Sequence, residues 1–272
     1  MAQTLRRKPS SRPGDSRLPD TSPLPDFEQE ALRIVNEAQK DGIPLRLMGA
    51  SAVKMHSVKY KALFEEMERT LTDLDFMTYG RYSKFLTKLF RRLGYEPNES
   101  FIQMHGHIRH IYLDRAHRRI ADVFLDKLSF CHTVDFQNRL ELDSPTITLA
   151  DLLLEKMQIV HINEKDVKDT IILLAEHEIG ESDKETVDVK RIAELLSDDW
   201  GFYYTVQTNL RRVAEYAEQK PAWPAEVKKA VGAKVEAMLG RIEAEPKSFR
   251  WKMRAKVGTS KKWYNDVEEV ER

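Results

Sequence analysis

The chain of 272 residues is 41% hydrophobic, enough for one large domain or two modest ones with a real core. Lysine plus arginine equals aspartate plus glutamate at 44 each, which excludes the overall field of a bulk nucleic-acid or membrane binder and leaves any electrostatic function to local clusters. A single cysteine, Cys131, excludes an intrachain disulfide and a cysteine-rich zinc site, in keeping with a reducing cytoplasm, and no apolar run approaches the roughly 20 residues of a membrane span.

Residues 1–25 are rich in Pro, Ser and Arg and lack hydrophobic periodicity, the pattern of a disordered basic arm. No apolar segment follows Arg6 and Arg7 to form a signal peptide, so retention in the cytoplasm is expected. From Phe27 to about Gln39 the apolar positions have helical spacing, and "DGIP" breaks the helix. "LRLMGASAVKMH" then reads as a strand, a tight turn at Gly49 and a helix start. "YKALFEEMERTL" is helical or irregular, and "TDLDFMTY" alternates with strand period. "RYSKFLTKLFRRLGY" is an amphipathic helix with Phe85, Leu86, Leu89, Phe90 and Leu93 on one stripe and Gly94 at its end.

Between Ser100 and Phe130 the pattern reads as strands: "SFIQMHG", then "RHIYLD" and "RIADVFLDKLSF", the last two forming a hairpin around "RAHR". After "LDSPTIT" the chain turns helical, with Thr148 and Asp151 as a polar helix start. Further helices are expected in "LADLLLEKMQIVHI", "EKDVKDTIILLAEHEIG", "VDVKRIAELLS", around Val206 to Glu218 and around Glu226 to Glu243. The expected fold class is α/β (α+β): a core over 26–148 followed by a helical C-terminal region over 149–272.

Three features carry chemistry. On a strand, residues i and i+2 share a face, so Asp73 and Asp75 stand side by side. Such carboxylates raise each other's pKa unless a cation lies between them, and oxygen-rich clusters suit magnesium; an exposed strand face accounts for an isolated Asp-x-Asp as well. Asp122 interrupts the apolar run Ile120, Val123, Phe124 and Leu125, a costly place for an unpaired charge. It either joins the first pair or forms a salt bridge with Arg119 or Lys127. In "LMGASA" the glycine allows close backbone approach, and the helix start that follows offers N–H groups to a phosphate.

The ordered set of strand, Gly-x-Ser, helix, Asp-x-Asp strand and single-Asp strand resembles the nucleotidyltransferase superfamily of the polymerase-beta type. "LADLLLEKMQIV" and "EKDVKDTIILL" add a similarity to the abortive-infection class of minimal nucleotidyltransferase toxins, over roughly Leu45 to Leu174 in all. Two features depart from the pattern: the serine of Gly49-Ala50-Ser51 lies one place late, and "SVKYKALFEEMERTL" lengthens the gap before Asp73.

The resemblance implies a small mixed-sheet core that moves a nucleoside monophosphate from a nucleoside triphosphate to a hydroxyl, releasing pyrophosphate. It implies Asp73, Asp75 and Asp122 as catalytic ligands of Mg2+ or Mn2+. Gly49, Ala50, Ser51, Lys156 and Asp169 are the nucleotide-binding set it implies, with Asp166 one helical turn before Asp169. On residue type alone, Lys156 also fits a snorkelling lysine. The toxin class adds an antitoxin-like protein as a partner to look for.

RNA, tRNA first, is the acceptor to try. In the tail, Arg250, Lys252, Arg254, Lys256, Lys261 and Lys262 interleave with Trp251, Trp263 and Tyr264, a composition that suits single strands; a solvated basic helix with packing tryptophans is the alternative. His105, His107 and His110 suggest a transition-metal site if they lie on a strand, or a polar surface beside Arg109 and Arg118. A non-catalytic nucleotide-binding or interaction module on the same fold is the rival to an enzyme. A metal-dependent nuclease would leave Gly49 and Lys156 without a role.

Overall fold

The first helix begins where the sequence supplies a cap: the Asp26 carboxylate accepts the Gln29 N–H at 2.8 Å and starts α1 (Phe27–Lys40). In this computed structural model residues 22–220 and 223–267 are described. The arm expected over 1–25 therefore lies outside the described residues as far as residue 21. Just beyond it, Leu24 is tied at both backbone groups: its N–H donates to Glu30 and its carbonyl accepts from Arg119.

Five strands form the central sheet: β1 (Arg46–Met48), β2 (Asp73–Thr78), β3 (Glu96–Pro97), β4 (Arg109–Asp114) and β5 (Arg119–Leu125). Their order is β1-β2-β5-β4-β3, with β2 and β5 parallel and every other pair antiparallel. The expected hairpin is β4 and β5, running in register from Arg109 opposite Phe124 to Asp114 opposite Arg119. Between β1 and β2 lie α2 (Gly49–His56) and the short α3 (Lys61–Glu66); α4 (Ser83–Arg92) follows β2.

The strand period sorts the two faces of the sheet. Leu74 and Phe76 of β2, with Ala121 and Val123 of β5, are fully buried. Phe90 of α4 stacks on Tyr112 at 4.1 Å and meets Phe76 and Tyr95 edge-on, a large apolar contribution to the core. Of the stripe expected on α4, Leu86, Leu89, Phe90 and Leu93 are buried, whereas Phe85 faces solvent.

One segment differs from its expected form. Residues 100–106 are not a strand: α5 (Glu99–His105) occupies them, because the Asn98 side chain caps the Phe101 N–H at 3.2 Å and Glu99 sits favourably in the first turn. The strand face that His105 and His107 would have shared therefore does not exist.

A two-stranded ladder of β6 (Lys127–Ser129) and β7 (Thr133–Asp135) leads to the helical region. α6 (Leu149–Met157) starts on the Thr148 cap, which accepts the Asp151 N–H. α7 (Glu164–Glu176) starts in the same way on Asn163. A short parallel pair, β8 (Ile179–Gly180) and β9 (Val187–Asp188), precedes α8 (Val189–Leu196), α9 (Trp200–Glu218), α10 (Ala225–Ala244) and α11 (Phe249–Val257). α10 packs on α7, α8 and α9, and α11 lies on α9. All nine residues of α6 are buried, including Asp151, Glu155 and Lys156, so its charges must find partners inside the protein. Among the described residues no helix is long and apolar enough to cross a membrane.

Candidate active site

The parallel pairing of β2 and β5 sets Asp75 directly opposite Asp122, on strands about 4.8 Å apart. Asp73 lies two residues before Asp75 on the same face, so the three sequence-predicted carboxylates are brought to one patch of the sheet. Burial raises the Asp75 carboxyl most, and the charges of Asp122 and Glu155 add to it, with Lys156 opposing; the result is about 7. Asp122 is clasped by Arg109, whose Nε donates to Oδ1 at 2.7 Å and whose Nη2 donates to Oδ2. The salt bridge expected as an alternative for Asp122 thus exists, but with Arg109 from the neighbouring strand. Arg119 instead serves Asp114 and Lys127 serves Asp135.

Gly49 turns the chain from β1 into α2 with φ +70°. A Cβ at this position would lie 2.5 Å from Oδ2 of Asp75, so only glycine allows the turn to rest against that carboxylate. The Gly49 N–H donates to Oε2 of Glu155 at 3.0 Å. No side chain caps α2 at Met48. Ala50 is partly exposed at the head of the helix. Ser51 is buried, and its hydroxyl donates to the Asp73 carbonyl at 3.3 Å, which fixes α2 against β2.

Lys156 is not a snorkelling side chain. It is 7% exposed, and its Nζ lies 3.2 Å from Glu155, 3.3 Å from Asp166 and 3.4 Å from Asp169. Burial opposes its charge, but these carboxylates outweigh burial and hold its pKa well above the ordinary lysine value. Asp169, fully buried, also takes a two-point bond from Arg69, with Nε on Oδ1 at 2.6 Å and Nη2 on Oδ2 at 2.9 Å. Such fork-to-fork pairing fixes geometry as well as charge.

The roles of Glu155, Arg69 and Arg109 were not evident in the sequence. Glu155 adjoins Lys156 on a helix whose burial only the fold reveals. Arg69 sits in the segment that lengthens the gap before Asp73, 100 residues from its partner. Arg109 was visible only as a cation near a strand start, although its position opposite Phe124 follows once the hairpin register is known.

Other expected features fall elsewhere. His105 ends α5 and His107 follows in a turn, while His110 is buried, bonded to Tyr112 and Ser83. Among the described residues no group of three or more His, Cys, Asp or Glu side chains is arranged to hold a metal ion as it stands; both oxygens of Asp122 are engaged by Arg109. In the tail, Trp251 packs on Tyr203 and Trp263 on Tyr204, and the Trp263 indole N–H donates to Thr205. Arg254 donates to the carbonyls of Gly258 and Lys261. The tryptophans therefore serve packing, while Arg250, Lys252, Lys256, Lys261 and Lys262 stay exposed.

No protein-family description, curated protein or solved structure matches the chain.

Proposed function

We propose that the chain is a metal-dependent nucleotidyltransferase that moves a nucleoside monophosphate from a nucleoside triphosphate to a hydroxyl acceptor. The observation that carries this reading is the registered pair Asp75 and Asp122 beside the Gly49 turn. Setting the half-buried Asp75 against the buried Asp122 on the adjacent strand is costly for a structural role alone.

Asp73, Asp75 and Asp122 would hold Mg2+ or Mn2+, since hard oxygen donors suit those ions. The raised Asp75 carboxyl marks negative charge that a cation would relieve. Bound there, the ion supplies neutralisation of the triphosphate and activation of the acceptor hydroxyl. The chain itself contributes the rest. The head of α2 at Gly49, Ala50 and Ser51 offers backbone N–H groups to phosphate oxygens, with Glu155 as the group a phosphate displaces from Gly49. Lys156 places fixed positive charge beside Asp75, and Asp169 with Arg69 keeps that lysine from moving. The exposed lysines and arginines of α11 and the tail favour RNA as acceptor by their charge, ahead of a protein or small molecule. An antitoxin-like protein belongs to the same reading.

Two internal bonds favour a second reading, a non-catalytic nucleotide-binding module. Arg109 occupies Asp122 and Glu155 occupies Gly49, so the site is satisfied without a substrate. Incubation with each α-labelled nucleoside triphosphate, magnesium and total RNA or protein separates the two. The enzyme reading expects label transfer by the natural chain and none by Asp75→Ala; transfer that survives the substitution refutes the mechanism. Triphosphate binding with no transfer to any acceptor favours the module.

A further inference from the structure

A cavity of about 380 Å³ opens beside Arg109 on the carboxylate face of the sheet, within the range of small-ligand sites. Its walls include Phe124, Phe130, Leu125 and Ile108, with Ser129 and Lys127 at the rim. Phe124 lies two residues beyond Asp122 on the same face of β5. The Phe124 and Phe130 rings meet edge-on at 5.8 Å, and the Arg109 guanidinium lies 4.8 Å from the Phe124 ring centre. One arginine therefore both lines the cavity and holds Asp122.

The cavity offers two kinds of contact. Phenyl rings and aliphatic side chains suit a flat apolar ring, and a guanidinium suits a phosphate. Both bonds from Arg109 to Asp122 use Nε and Nη2, and a guanidinium has five N–H donors, so donors remain for a ligand. Two rim acids already have partners: Asp126 accepts the Gly80 N–H at 3.0 Å, and Asp266 pairs with Lys262.

Sheet order distinguishes this cavity from the phosphate turn. Gly49 follows β1 and Arg109 opens β4, so the turn and the cavity flank the Asp75–Asp122 pair from opposite sides. A ligand at the turn meets Asp75 first, whereas one in the cavity meets Asp122 first.

We propose, resting on the nucleotidyl-transfer reading for the word acceptor, that this cavity is the acceptor subsite and takes the terminal nucleotide of an RNA. The base packs against Phe124 and Phe130, and a phosphate engages Arg109.

The test is binding of cytidine and adenosine 5′-monophosphates to the full chain by saturation-transfer NMR and calorimetry. EDTA is present and no triphosphate is added, so the result does not depend on whether the chain transfers anything. Base protons should receive saturation, and the nucleosides without phosphate should bind at least tenfold more weakly. Ser129→Trp and Ile108→Trp, both at exposed positions, should fill the cavity and each weaken binding at least tenfold without changing the melting temperature by more than a few degrees. Absence of base saturation, or binding unchanged in both variants, overturns the proposal. Failure of label transfer with nucleotide binding intact overturns the enzymatic reading and leaves the nucleotide subsite standing.

Discussion

Replacing Gly49 by alanine tests the contact on which the site is built, and Gly42 provides the control. Both glycines have a left-handed backbone, φ +70° and +72°, a region that costs an L-residue about 1–2 kcal/mol. Gly42 has nothing within 4 Å of a built Cβ, whereas at Gly49 that atom would lie 2.5 Å from Asp75 Oδ2 and 3.3 Å from Asp75 Cβ. Gly42→Ala should thus lose only the backbone term, roughly 2–8 °C in melting temperature at 2–4 °C per kcal/mol. Gly49→Ala carries the same term and must also move the Asp75 carboxylate from 2.5 Å out to the 3.4 Å of ordinary contact, a shift of about 0.9 Å. Misplacement approaching 1 Å costs on the order of 100-fold in rate, so transfer should fall by about that factor in Gly49→Ala and stay near normal in Gly42→Ala. Paired thermal melts and label-transfer assays read both effects. Equal stability losses with full transfer in Gly49→Ala would show that the turn does not press on Asp75.

Three further outcomes follow from the buried charges. Asp75→Asn should abolish transfer yet stabilise the fold above pH 7. The native carboxyl is raised to about 7, so the folded state binds the extra proton between about 4 and 7 and stability falls as pH rises through that window. The gain should be on the order of 2–4 kcal/mol at 1.36 kcal/mol per pKa unit, nearer the low end because Asp75 keeps partial exposure, and urea titrations at pH 8 and pH 4.5 should show most of it lost in acid. His56 and His132 have pKa values lowered to about 4, chiefly by burial. Their stabilising neutral forms are fully present above about 6.5 and lost toward 4, so denaturation midpoints should drop across that range, and His132→Gln should flatten the drop; an unchanged slope would refute the burial argument. Arg69→Ala leaves buried Asp169 with Lys156 alone and should cost about 3 kcal/mol, whereas Arg69→Lys should cost less in stability but release the two-point grip, which a urea midpoint for each variant would separate.

Local signals account for what the sequence revealed. The turn at Gly49, the alternation over 73–78 and the hairpin around 115–118 are each written within a dozen residues, and each appears where expected. The helix cap at Thr148 was legible for the same reason. Residues 100–106 read as a strand because their apolar residues fit one, while the Asn98 cap and Glu99 favour a helix. The helix over 200–218 starts earlier than its periodic stretch suggests because Asp199 caps Phe202. Among site residues, Asp73 and Asp75 were readable from their spacing, and Asp122 as their neighbour only through the family resemblance. Glu155, Arg69 and Arg109 were not, because each gains its role from a partner far along the chain or on another strand, and no local periodicity encodes such a pair.

The clasp of Arg109 on Asp122 has a consequence for how the sheet assembles. β4 and β5 are joined by a four-residue turn, so the arginine and the aspartate meet as soon as the hairpin zips. The carboxylate therefore enters the interior already escorted by a charge from its own chain, and β2 can dock beside it without waiting for a ligand from solution. Formation of the sheet in this way does not wait for a cation from solution to neutralise Asp122.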